Sequence, residues 1–169
     1  MLNNLGNVLR EQGKSRDAIR VYERALNLVP EFAECWCNLS AALNNEEQFD
    51  RGLKAAERAI GLEPAMAQAH NNKGDILLAE ARYSEAFEAY RKATELNPKY
   101  VAAMLNMARA QRDMDQPEAA LKTLQRALEL EPNNPESHHV HGVLQEQLGD
   151  REQAAKAFKA AIEVAPGMS

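Results

Sequence analysis

An all-α chain, a solenoid of about five helix-turn-helix units, is what the sequence predicts, and three observations predict it. The strong helix formers Ala, Leu, Glu, Lys, Gln and Arg dominate the composition. Sheet-favouring residues are scarce, with aromatics at only 5%. Prolines recur at Pro30, Pro64, Pro98, Pro132 and Pro166, each 34 residues after the last, and a fixed period of that length marks stacked helical repeats.

Other positions keep the same register. Five residues before the prolines stand Ala25, Ala59, Ala93, Ala127 and Ala161. Twelve before stand Ala18, Gly52, Ala86, Ala120 and Ala154, and twenty-four before stand Gly6, Ser40, Gly74, Ala108 and Gly142, all small. A helix-interior glycine costs about 1 kcal/mol relative to alanine. Its recurrence at one position therefore points to close helix–helix approach, where only a hydrogen fits.

Each unit reads as a hairpin of two helices. First helices are expected near 1–12, 34–46, 68–80, 101–114 and 135–148, and second helices near 15–28, 50–62, 84–96, 117–130 and 151–164. Pro117 and Pro135 fall in first turns, where a missing N–H is harmless. Asn134 and Ser84 are suited to cap the helices that follow them, and the periodic prolines stop the second helices. A lone hairpin cannot bury its apolar face, so the core is built by stacking.

Bulk properties narrow the function. The 169 residues suit one domain, and 45% hydrophobic content supports a core. A net charge of −5 argues against a general nucleic-acid binder, which needs a basic face. Cys35 and Cys37 give no disulfide framework, so the expected compartment is reducing and cytoplasmic. At i and i+2 on a helix they point apart, as two unrelated small side chains. No apolar run approaches the ~20 residues of a membrane span, and no basic segment leads into an apolar core as in a signal peptide.

Numbered so that the proline is position 32, the units are set against a known pattern: large at 4, Leu at 7, small at 8, aromatic at 11, Ala at 20, aromatic at 24, Ala at 27. The second unit carries Trp36, Leu39, Ser40, Leu43, Gly52, Ala56 and Ala59, and the third His70, Lys73, Gly74, Leu77, Ala86, Tyr90 and Ala93. The fourth is loosest, with Met104, Met107, Ala108, Gln111 and Leu124. Across essentially its whole length the chain resembles the tetratricopeptide repeat (TPR) family. The resemblance implies a right-handed TPR superhelix, one array with repeats near 1–32, 33–66, 67–100, 101–134 and 135–168. It also implies a concave groove, lined by first helices, that binds a protein or peptide.

In that groove, positions 2, 5, 6, 9, 12 and 13 share a helix face and are expected to be free of packing duty. Position 6 reads Asn4, Asn38, Asn72, Asn106 and then Val140. An Asn amide offers two donors and an acceptor, enough to pair with an extended peptide backbone whatever its sequence. This ladder resembles the one in the repeat domain of O-linked N-acetylglucosamine transferases, which implies use on protein substrates. The plain alternative is that Asn is simply common there. Asn7, Asn71 and Asp75 enrich the same face, with Asn3 and Asn44. Arg109 and Arg112, with Arg10, are groove cations that read first as solvated charges and second as a grip on an acidic group. The cationic carboxylate clamp of chaperone-binding relatives is absent.

His138, His139 and His141 do not form a recognised zinc spacing with Cys or carboxylates. No metal or other cofactor is expected, and His139 is the one placed to touch a ligand. No phosphate loop, dinucleotide fingerprint or nucleophile elbow is present, so no catalysis is expected. The last helix, with Phe158, Ile162 and Val164, is expected to leave apolar surface uncovered. That suits a fragment of a larger protein that recruits substrates, or self-association through terminal repeats as an assembly scaffold.

Overall fold

A computed structural model describes residues 1–165; Pro166 lies outside the described residues. Among these every regular element is helical: α1 Leu2–Glu11, α2 Ser15–Leu28, α3 Ala33–Asn45, α4 Phe49–Leu62, α5 Ala67–Ala79, α6 Tyr83–Leu96, α7 Val101–Asp113, α8 Pro117–Leu130, α9 Pro135–Gln147 and α10 Arg151–Val164. The fold class is an all-α solenoid of helix hairpins. It divides into two compact units, one ending at Leu96 and one beginning at Asn97.

In the first unit three hairpins stack, α1 on α2, α3 on α4 and α5 on α6, joined by α2 against α3, α4 against α5, and first helix against first helix. In the second unit α7–α8 and α9–α10 repeat that arrangement through α8 against α9 and α7 against α9.

The expected close approach is present. A Cβ placed on Gly74 would stand 2.5 Å from Cε1 of Tyr90, and Gly6 faces Tyr22 and Gly142 faces Phe158 in the same way. Where position 8 gains a side chain, position 24 shrinks: Ser40 shares a hairpin with Ala56, and Ala108 with Leu124. Position 8 and position 24 therefore trade volume within each hairpin, as dense packing demands.

The hairpin turns share a backbone device. Gly13, Glu47, Ala81, Asp115 and Gly149, all at position 15, have φ between 57° and 80°. The next residue's N–H then reaches back over the turn, as from Arg82 N to Leu77 O at 2.9 Å and Gln48 N to Leu43 O at 2.9 Å. This left-handed closure satisfies carbonyls at the end of the first helix. Three of the five positions hold a side chain where glycine is the relaxed choice.

Position 4 has a polar task beside packing. Trp36 Nε1 donates to Pro30 O at 2.8 Å. His70 Nε2 lies 3.0 Å from Pro64 O and His138 Nε2 2.7 Å from Pro132 O. A carbonyl only accepts, so both histidines carry the proton on Nε2. The ring N–H thus ties each first helix to the proline ending the previous hairpin.

Caps follow the sequence with one correction. Asn134 accepts from Ser137 N at 3.0 Å, and Pro117 and Pro135 each open a helix. Ser84, expected as a cap, is instead the second residue of α6, which begins one residue earlier at Tyr83. An N-cap must sit outside the helical turn, so Ser84 does not serve as one.

Candidate functional site

The candidate surface is the face of first helices that carries position 6, and each unit shows it separately. In the first unit the amides are largely engaged with one another. Asn3 Nδ2 donates to Glu34 Oε1 at 3.0 Å, and Asn38 Nδ2 donates to Asn3 Oδ1 at 3.1 Å. Asn72 Nδ2 donates to Cys37 O at 2.9 Å and to Ser40 Oγ at 3.1 Å. Asn38 and Asn72 are only 6% and 7% exposed.

These contacts correct one expectation. Positions 5 and 6 are not spared from packing: Asn3, Cys37, Asn71 and Leu105 at position 5 are all buried. The cause is the neighbouring hairpin, whose first helix covers the flank on which position 5 lies. Sequence spacing along one helix cannot display that second helix.

The same contacts orient the ladder. With Nδ2 held by the preceding hairpin, Asn38 and Asn72 are each locked in one rotamer. Neither Oδ1 accepts a hydrogen bond among the described residues, and neither is sealed from solvent. Asn4 is fully on the surface. Two held acceptors and the exposed Asn4 amide are therefore within reach of solvent.

The flanking polar residues are braced in turn. Tyr22 Oη donates to Asn7 Oδ1 at 2.6 Å. Tyr90 Oη donates to Asp75 Oδ1 at 2.8 Å, while Asn71 Nδ2 donates to Asp75 Oδ2 at 3.0 Å. Asn71 Oδ1 is buried with no donor among the described residues. Burial raises the Tyr22 phenol above its ordinary value, so it stays a protonated donor.

In the second unit Arg109 donates to Asn106 Oδ1 at 3.0 Å and to Glu136 Oε1 at 2.6 Å. Arg112 bonds Asp113 at 2.8 Å. Both cations are thus already paired. His139 is exposed, its ring 5.6 Å from that of Phe158 and tilted by 48°. Those two rings, Arg109 and Ile162 border an open cleft of about 670 Å³. Ile162 is 68% exposed, whereas Leu26, at the same position of the first hairpin, is 5% exposed beneath α3. At the other end, Leu5 and Val8 on α1 are 49% and 48% exposed, whereas Leu39, the α3 counterpart of Leu5, is 4% exposed.

The cysteines are packing groups. Burial pushes the Cys35 thiol up to about 11 and the Cys37 thiol up to about 12, so neither forms the thiolate a nucleophile or metal ligand needs. They occupy separate core clusters. Among the described residues no three His, Cys, Asp or Glu side chains gather as a ligand set. No described helix is long and apolar enough to cross a membrane.

Models of the tetratricopeptide repeat match residues 39–101, 77–144 and 135–167, and one of the TPR repeat matches residues 6–45. Together they tile the chain from residue 6 to residue 167. A comparison with curated proteins returns no match. Among solved structures, a thermophilic TPR protein of Thermus thermophilus, TTC0263, is similar with a TM-score of 0.87 and 21% identity, over 99% of this chain and 91% of that one. MamA from Desulfovibrio magneticus RS-1 is similar with a TM-score of 0.82 and 21% identity, over 96% of this chain and 92% of that one. At such identity the likeness is one of fold.

Proposed function

The chain belongs to the tetratricopeptide repeat family, and from that premise we propose that it is a protein-interaction module whose first-helix face binds an extended peptide segment. The observation that carries this reading is that Asn38 and Asn72 are each tied to the preceding hairpin through Nδ2, which leaves each Oδ1 without a donor among the described residues. An acceptor repeated once per hairpin suits backbone N–H groups of an extended chain, and it needs no particular guest sequence. Preorganisation lowers the ordering cost of binding. The reading supports recruitment of protein substrates or partners, with Asn4 and, in the second unit, Asn106 and His139 as further contacts.

Peptides selected from a random display library against the whole chain test it. Asn4→Ala touches no internal hydrogen bond and should weaken a selected peptide by about 0.5–1.5 kcal/mol. Asn38→Ala, Asn72→Ala and Asn106→Ala should do so by at least as much in samples shown by circular dichroism to be folded. Selected peptides that bind all four variants with unchanged affinity would remove the groove from the account.

A second reading, an assembly scaffold joined through its end faces, is favoured by the exposed Ile162 on α10 and the exposed Leu5 and Val8 on α1. Sedimentation across a concentration series, with Leu5→Glu and Ile162→Glu as controls, decides it. A single monomeric species at every concentration would dispose of the scaffold.

A further inference from the structure

Within the first unit, α2, α3 and α4 enclose an open cleft of about 670 Å³ that shares no residue with the asparagine face. Its base is apolar, with the nearly buried Leu26, Leu39 and Leu43 beneath and the half-buried Trp36 exposed along one side. The indole is not free to collapse into the space, because Nε1 is held by Pro30 O at 2.8 Å. The opposite wall is cationic. Arg51, Lys54 and Arg58 stand at i, i+3 and i+7 on α4, one helix face, spanning about 10 Å at the helical rise.

Two of these three charges are not consumed internally. Arg51 pairs with Glu23, the lone acidic residue of the cleft. Lys54 and Arg58 have no carboxylate partner among the described residues. The cleft between α4 and α6 makes a useful contrast: its lysines Lys73 and Lys92 are paired with Glu57 and Glu95, Glu85 and Glu88 also line it, and no tryptophan is present. The first cleft thus sets a row of three cations beside a fixed tryptophan, in a chain whose net charge is −5.

We infer that this cleft is a second docking surface, taking an acidic amphipathic helical segment of a partner protein. Carboxylates spaced i, i+3 and i+7 would meet the α4 row, and an adjacent leucine stripe would rest on Trp36. Charge complementarity selects the partner and apolar contact holds it. The surface is independent of the peptide groove, so one chain has room to hold two guests.

Trp36 is the single tryptophan of the sequence, so its emission reports on this cleft alone. The test titrates the whole chain with a fluorescein-labelled helical peptide bearing Glu at i, i+3 and i+7 beside leucines. Polarisation and, with unlabelled peptide, Trp36 emission are followed, and a Lys-for-Glu peptide serves as control. The expected result is saturable binding with a Trp36 spectral shift, weakened at high salt and about tenfold weaker in the Lys54→Glu/Arg58→Glu double variant. Both replaced side chains are exposed and unpaired, so the fold should hold, as circular dichroism will check. Asn4→Ala should leave this binding unchanged, which separates it from the groove. No binding, binding that ignores the charge reversal, equal binding of the Lys peptide, or capture of phosphatidylserine vesicles or single-stranded RNA in place of the peptide would each overturn the inference.

Discussion

Replacing Gly74 with alanine probes the closest helix–helix contact of the first unit. The added methyl would lie 2.5 Å from Cε1 of Tyr90, well inside contact distance, and Tyr90 is wholly buried. The ring cannot swing aside freely, because its hydroxyl is held by Asp75 at 2.8 Å. Overpacking of this kind costs about 1–3 kcal/mol. Displacing the hydroxyl from a carboxylate adds about 1.5–3 kcal/mol where the bond is lost. Against this, alanine returns about 1 kcal/mol of helix propensity. The balance is a loss of about 2 kcal/mol, or several degrees in Tm. Urea unfolding followed by far-ultraviolet circular dichroism and by Trp36 emission measures it. The fourth hairpin supplies the remedy, since Ala108 there faces Leu124. Gly74→Ala/Tyr90→Leu should therefore be more stable than the two single losses sum to, by about 1 kcal/mol or more. A Gly74→Ala chain as stable as the parent, or strict additivity in the double variant, would refute the volume-trading account of positions 8 and 24.

Three further outcomes are expected. Ala81→Gly should raise stability by about 0.5–1 kcal/mol in urea titration, because Ala81 sits at φ 58° where a side chain is strained; Asp115→Gly should gain less, since Asp tolerates that region better. Burial first, and the nearby His138 second, hold His141 below its ordinary 6.5. The unfolded chain then binds more protons, so stability is full above pH 6.5, falls as pH drops below it, and levels off once the folded imidazole also titrates. His141→Leu should flatten that part of a Tm-against-pH curve. Asn72→Ala should cost about 1–3 kcal/mol, as it strips buried bonds to Cys37 and Ser40, whereas Asn4→Ala should leave the unfolding midpoint where it was.

Much of the architecture is legible in the residues themselves. The proline period and the small positions place nearly every helix boundary within a residue or so, and Gly6, Gly74 and Gly142 announce the contacts they make. What is not legible depends on groups that only folding brings near. The left-handed turn at position 15 hides behind Glu47, Ala81 and Asp115, residues with no glycine signature. The ring tethers look like plain large side chains at position 4. The asparagines of positions 5 and 6 read as surface ligands, yet the Nδ2 atoms of Asn38 and Asn72 find partners more than 30 residues earlier in the chain. Polar residues on an amphipathic helix look alike whether water or a neighbouring amide satisfies them.

The buried hydrogen bonds between hairpins of the first unit share a direction. Cys35 reaches back to Tyr22, Asn38 to Asn3, and Asn72 to Cys37 and Ser40, so in these the donor belongs to the later hairpin, while the half-buried Asn3–Glu34 bond runs the other way. As the chain emerges from the ribosome, every such donor arrives to find its acceptor already made. Truncation within the first unit is therefore asymmetric: losing its last hairpin hands mainly oxygens to water, whereas losing its first hands over the Asn38 amide and the Cys35 thiol as donors.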